Sequence, residues 1–360
     1  MIVLHIDEQT GWRGGEQQAS YLIRGLAERG HRCLIAGRVG SEFLGSAHGV
    51  PDLTRIGVSC RGEADVFTAM RLAKVVKSQG VDILHAHTSH AITYACLARA
   101  IARRGKVVAS RRVDFPPNRN AFSRWKYRQA DRVIAISDRI AEVMREFGIG
   151  EDCLRTVHSG IDVERFDVPP LTRDELGVPE DAFLLGNVAA LVDHKDQATL
   201  LDAMHLVVRD TPNAHLLIAG DGPLREGLLK QAKSLDLEWN VHFLGYRKDV
   251  PRILRTLDLF VMSSKEEGLG TSVLDAMACD VPVVATAGGG IPEMVRHHET
   301  GRLAPIQNPR ELASCILQAI RNPNQSAVMA ARAKTMLTEK FTKERMIEGN
   351  LRVYEELVTS

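Results

Sequence analysis

One alternation runs the length of the chain and limits what it can fold into: short apolar runs, each followed by a segment with helical spacing. "IVLHI" from Ile2 precedes residues 16–29, where Ala19, Leu22, Ile23, Leu26 and Ala27 form one apolar stripe and Gly30 stops the helix. "CLIAG", "DILHAH", "KVVAS" and "RVIAIS" follow as strands with helical segments near them. Strands joined by helical crossovers build an open parallel sheet, and ligands of such sheets gather at the carboxyl ends of the strands.

After "ERFDVPPLTRDELGVPEDA", which reads as a Pro- and acid-rich linker, the pattern restarts with "FLLGNVAAL", "AHLLIAG", "NVHFLG", "LDLFVMS" and "VPVVAT". At 360 residues, two α/β halves fit better than one sheet of ten or more strands. The expected division is 1–168, 169–345 and a closing amphipathic helix at 346–360.

A formal net charge of +1 removes any bulk electrostatic argument for nucleic acid. The six cysteines are scattered without a C-x-x-C, which predicts buried thiols rather than zinc or disulfides. The first residues read as a strand rather than a leader, and "AITYACLARAIA" is too short to span a bilayer. The expectation is a cytoplasmic protein.

"SSKEEGLGTSVLDAMACDVP" reads as a loop entering a helix near Thr271, with Val273, Leu274, Met277 and Ala278 on its buried side. The backbone N–H groups of Gly268, Leu269, Gly270, Thr271 and Ser272 then form an anion site that needs no side chain. Glu267 precedes it and Asp275 projects from its first turns. Ionised carboxylates only accept hydrogen bonds, so they suit vicinal hydroxyls of a sugar or ribose. Diphosphate on the backbone and diols on the carboxylates describe a nucleotide-sugar. Two simpler readings stay open, carboxylates that complement the helix dipole and a glycosidase-like acid pair. No D-x-D pair or neighbouring histidine supports a metal.

"EEGLGTSVLDAMACDVPVVATAGGGIPE" resembles the nucleotide-binding signature of retaining glycosyltransferase family 4, whose usual form is Glu-Gly-Phe-Gly, four residues, then Glu-Ala. "GGEQQ", "DILHAH", "ADRVIAIS", "VHSGID", "LIAGDGPLR" and "HETGRLAP" are similar to family landmarks in family order, so the likeness covers essentially the whole chain. The resemblance implies two facing Rossmann-like domains with a central cleft, the donor held mainly by the second and the acceptor by the first. It also implies a C-terminal helix that crosses back to the first domain.

By that resemblance, Glu267 faces the transferred sugar and diphosphate, and Asp275 stands where the family has a ribose-binding Glu. One methylene fewer shortens its reach by roughly 1.5 Å. Lys195 in "VAALVDHK" matches the lysine that neutralises the leaving diphosphate, while Ala190 stands in the place of the usual arginine. A leaving diphosphate needs positive charge, so Arg112, Arg225 and His194 are candidate substitutes. In "TGWRGGEQQ", Gly14, Gly15 and Glu16 match the loop that closes over the diphosphate, and His87 matches a histidine near the reacting sugar. His85 is expected to pack inward.

The resemblance implies a metal-independent, retaining transferase without a cofactor. A nucleotide-diphosphate sugar is the co-substrate and a glycan or lipid-linked molecule the acceptor, in cell-envelope polysaccharide or lipopolysaccharide synthesis. An epimerase or phosphorylase on the same fold, and a membrane- or nucleic-acid-binding module with vestigial sites, are the alternatives.

Residues 99–132 hold eleven Lys and Arg against Asp114 and Asp131, interleaved with Phe115, Phe122, Trp125 and Tyr127. One reading is a solvated face. The other, which we favour, is a patch that meets an anionic membrane surface. No nucleic-acid motif accompanies it.

Overall fold

In a computed structural model, which describes residues 1–359, the chain forms two compact units. The first comprises Met1–Gly160 and Lys343–Ser360, and the second is Ile161–Thr342.

The first unit runs β1 (Ile2–Asp7), α1 (Gly14–Glu28), β2 (Arg32–Arg38), α2 (Glu42–Gly45), β3 (Thr54–Val58), α3 (Val66–Gln79), β4 (Ile83–Ala86), α4 (Ser89–Ala102), β5 (Lys106–Arg111), α5 (Ala121–Gln129), β6 (Arg132–Ala135), α6 (Asp138–Phe147) and β7 (Leu154–Thr156). Its parallel sheet has the order β3-β2-β1-β4-β5-β6-β7. Direction reverses between β1 and β4, and right-handed crossovers then put α1 and α2 on one face and α3 to α6 on the other. Val3, Ile35, Ile83, Val108 and Ile134 point into the α1 side, where they meet Leu22, Ile23 and Leu26.

The second unit runs α7 (Arg173–Leu176), β8 (Phe183–Val188), α8 (Gln197–Asp210), β9 (Ala214–Ala219), α9 (Arg225–Ser234), β10 (Val241–Gly245), α10 (Val250–Thr256), β11 (Leu259–Met262), α11 (Thr271–Ala278), β12 (Val283–Thr286), β13 (Arg302–Ala304), α12 (Pro309–Arg321) and α13 (Pro323–Lys340). Its sheet order is β10-β9-β8-β11-β12-β13, again parallel, with the reversal between β8 and β11. The fold class expected from the alternation is the one observed.

The stretch read as a linker differs from that reading. Phe166, Leu171, Leu176 and Val178 are buried, and the Leu171 amide donates to Thr256 Oγ1 at 2.9 Å. Four apolar side chains spaced among prolines and acids are enough to pin this segment to the second unit.

The last helix, α14 (Lys343–Val358), returns to the first unit and packs on α1. Gly25 makes this approach close, because a Cβ there would lie 2.2 Å from Ile347 Cδ1. Among the described residues, no helix is long and apolar enough to cross a membrane.

Candidate active site

In the second unit, α11 begins at Thr271, where the loop-to-helix pattern put it. Gly270 precedes it with φ +90, and no side chain caps the first turn. The Val273 N–H donates to the Gly270 carbonyl at 2.9 Å, and the N–H groups of Thr271 and Ser272 before it have no side-chain cap and can meet an anion. Leu269 is buried and anchors the loop.

The loop is held by its neighbours. Ser263 Oγ donates to the Lys195 carbonyl at 3.0 Å, and the Lys265 amide to the His194 carbonyl at 2.9 Å. Thr286 Oγ1 donates to the Ser264 carbonyl at 2.7 Å, and the Gly290 amide to the Glu267 carbonyl at 2.9 Å. A Cβ on Gly288 would sit 2.3 Å from that Ser264 carbonyl oxygen, so only glycine permits this contact.

This stitching brings together Lys195 and Glu267. Lys195 Nζ donates to Glu267 Oε1, which also accepts from Ser264 Oγ at 2.9 Å. Glu267 is 7% exposed, so its charge is sustained by these partners rather than by water. Ser264 was missed in the sequence, although two serines directly follow β11, the second three positions before the carboxylate.

Asp275 sits one turn into α11 and is half-buried, with Oδ1 buried and without a hydrogen-bond partner. Burial pushes its carboxyl up to about 7, with Arg165 pulling the other way. An acceptor left unpaired in a buried position is costly unless a donor arrives.

Ala190 is exposed, and its carbonyl accepts from Gln197 Nε2 at 3.1 Å. Of the candidate substitutes, Arg225 opens α9 directly after Leu224, whose amide donates to the Leu191 carbonyl at 3.1 Å. The backbone thereby ties Arg225 to the segment that lacks its arginine. His194 is exposed at the loop surface.

Arg112 lies in the first unit, against the Gly14–Gly15 turn that opens α1. A Cβ on Gly15 would lie 3.4 Å from Arg112 Cδ. Glu16 is turned inward and accepts from the Arg13 amide at 2.7 Å. Arg112 Nη2 donates to His87 Nδ1 at 3.2 Å, which leaves His87 Nε2 to pair with His5 Nδ1 at 3.0 Å. Arg112 Nε is buried and unpartnered. His87 is 3% exposed with both ring nitrogens bonded inside the protein, so its ring holds Arg112 instead of facing solvent.

His85 is fully buried, paired with Tyr354 Oη of α14 at 2.5 Å and Ser110 Oγ at 2.7 Å. Burial lowers all three histidines below their ordinary value, His5 to about 3. Their nitrogens lie within 4.8 Å of one another, as a metal would require. A guanidinium on His87 Nδ1 and two protein partners on His85 fit a neutral hydrogen-bonded network better than a cation.

The basic stretch does not form one face. Arg99 pairs with Asp131, Arg104 with Asp82, Lys126 with Glu63 and Arg132 with Glu356, while Arg111 donates to the Phe115 carbonyl. Arg119, Arg124 and Arg128 remain exposed around α5, beside Phe115, Phe122 and Trp125.

Two family profiles together span nearly the whole chain. Glycosyltransferase Family 4 matches residues 12–165 and Glycosyl transferases group 1 matches residues 170–336. EpsD of Bacillus subtilis, itself a proposed glycosyltransferase, is 30% identical over 304 residues, 79% of this chain and 79% of that one. The chain belongs to glycosyltransferase family 4. The lipopolysaccharide core biosynthesis glycosyltransferase LpsE of Rhizobium meliloti is 25% identical over 340 residues, 94% of this chain and 95% of its own. Among solved structures, Anabaena HepE in complex with UDP and glucose superposes with a TM-score of 0.84 at 25% identity over 100% of both chains. Membership of this glycosyltransferase family favours transfer over the epimerase, phosphorylase and binding-module readings.

Proposed function

We propose that the protein is a retaining, metal-independent glycosyltransferase that moves a sugar from a nucleotide-diphosphate donor to a glycan or lipid-linked acceptor. The bonded Lys195–Glu267 pair beside the uncapped N-terminus of α11 carries this reading. The first-turn N–H groups and Lys195 supply the positive charge that a departing diphosphate needs. Glu267, held by Lys195 and Ser264, orients the sugar. Asp275 offers its unpaired Oδ1 to the ribose hydroxyls, and the donor's arrival satisfies it.

The acceptor attacks on the face that the diphosphate leaves, and a diphosphate oxygen takes its proton. Arg112, set by His87 and by the space at Gly15, gives the Gly14–Glu16 turn of the first unit its positive charge, while Arg225 compensates Ala190 within the second unit. His87 then acts through Arg112. The acceptor side, expected at 1–168, then takes the unit of Met1–Gly160 with the last helix, and the donor side, expected at 169–345, the unit Ile161–Thr342.

The kinship with LpsE supports a place in cell-envelope polysaccharide or lipopolysaccharide synthesis, with the protein cytoplasmic and peripheral at the membrane. HepE, with its UDP and glucose, makes UDP the first nucleotide to try. Thermal melting with UDP, GDP and ADP and their sugars tests the reading, since a ligand of the native state raises its melting temperature. One nucleotide should raise it in wild type and not in Lys195→Ala; no shift with any of them overturns the donor assignment.

A further inference from the structure

The two central strands of the first unit bring three histidines together. Val3 of β1 and Ile83 of β4 face the α1 side, so strand alternation turns His5, His85 and His87 the same way, with His5 opposite His85 in the ladder. The His87 amide donates to the Ile6 carbonyl at 3.0 Å, so the pairing runs one step past β4 and holds the His87 ring beside His5. His85, kept in place by Tyr354 and Ser110, packs on that ring with centroids 4.2 Å apart.

A guanidinium has donors and no acceptor. His87 Nδ1, which takes the Arg112 Nη2–H at 3.2 Å, therefore presents its lone pair. A neutral imidazole then carries its proton on Nε2. That proton meets His5 Nδ1, 3.0 Å away, so His5 accepts in turn and keeps its own proton on Nε2. The two ring planes differ by 13° with centroids 5.3 Å apart, as expected when rings meet nitrogen to nitrogen rather than face to face. The reverse order would set a His87 Nδ1–H against a guanidinium N–H. Donation runs one way, from Arg112 to His87 to His5.

Arg112 depends on this order. Among the described residues, the bond to His87 is the one hydrogen bond on its guanidinium, and its Nε is buried without a partner. The Asp7 and Glu16 carboxylates attract the same charge, and a guanidinium released from His87 would turn to them. We infer that His5 is a positioning residue for Arg112: by accepting the His87 Nε2–H, it fixes which nitrogen of His87 meets the guanidinium and so holds Arg112 at the Gly14–Glu16 turn. For its effect on transfer, this role rests on the part given to Arg112 in the proposed function.

Nitrogen NMR of the full chain, labelled at histidine and arginine and free of nucleotide, reads the relay directly. His5 and His87 should both be protonated at Nε2, with a scalar coupling across the bond from His87 Nε2 to His5 Nδ1. The two Arg112 Nη resonances should be separate, as for a guanidinium that does not rotate. A His87 protonated at Nδ1 overturns the inference. His5→Phe removes the acceptor, whereas His5→Asn keeps one near the same place. In His5→Phe the Arg112 resonances should merge, and kcat should fall by roughly tenfold or more with the donor KM held, since small misplacements of a reacting group are costly. His5→Asn should recover both. Equal losses in the two variants, or none in His5→Phe, reduce His5 to packing and overturn its role. The nucleotide-induced rise in melting temperature should be the same in all three proteins. Its absence from all of them strikes the donor reading alone and leaves the spectra to decide this one.

Discussion

Lys195 and Glu267, 72 positions apart, share a hydrogen bond in which the lysine ammonium donates to a carboxylate that is almost fully buried. The bond has two consequences. It gives the buried carboxylate a charged partner in place of water, and in the proposed function it holds a cation where a diphosphate would depart. Lys195→Ala should reduce turnover by about a hundredfold or more, the order expected when charge stabilisation is withdrawn. Near-normal turnover in a steady-state transfer assay would remove Lys195 from the mechanism.

The same pair should be visible in stability. Lys195→Ala leaves Glu267 buried and short of a partner, so the melting temperature should fall. Adding Glu267→Gln to Lys195→Ala should cost less than the sum of the two single changes, because contacting residues are not additive. Strict additivity in a double-mutant cycle would mean that the bond contributes nothing.

Asp275 predicts a pH dependence. Its folded-state carboxyl is raised to about 7 by burial, above its unfolded value of about 3.9, so the native state holds the proton longer. The cost of ionisation is absent below about pH 4, grows between about 4 and 7 and is complete above that. Asp7, raised to about 7 by its own burial, acts in the same direction. Asp275→Asn should therefore gain stability relative to wild type as pH rises from 5 to 8 in the absence of nucleotide (range set on the order of these pKa values). Melting curves with equal slopes against pH would remove Asp275 as the source.

Asp275→Glu restores the missing methylene. Donor binding should be kept or tightened if the group reaches for ribose hydroxyls. Calorimetric titration with the nucleotide that passes the melting test would measure it, and abolished binding would argue for a structural carboxylate.

Gly288→Ala places a methyl 2.3 Å from the Ser264 carbonyl oxygen. The loop that carries Glu267 must shift, and nucleotide affinity should fall by about tenfold or more, since the anion site depends on close backbone approach. An unchanged affinity would show that the loop has slack there.

Much of this fold was legible from the chain because parallel α/β sheets write themselves locally: each buried strand is a short apolar run, and each crossover helix carries its own stripe. The start of α11 at Thr271 was legible for the same reason, since Gly270 and the Val273–Ala278 pattern are neighbours in sequence. What escaped was relational. The spending of Lys126 on Glu63 and the withdrawal of Arg132 to Glu356 depend on which segments fold together. The eleven bases of residues 99–132 looked like one patch because a sequence lists charges without their partners. The linker reading failed similarly, since the burial of Leu171 and Leu176 is decided by α10, far along the chain.

The return of α14 to α1 bears on the order in which the molecule can be assembled. The second unit is continuous in sequence and has all of its parts once Thr342 has left the ribosome. The first, although made earlier, keeps a bare face over Gly25 and His85 Nδ1 without its partner until Ile347 and Tyr354 are synthesised. Its completion therefore waits for residues made after the whole second unit. The half born first is the half finished last, and until then the apolar face over Gly25 stays open to water.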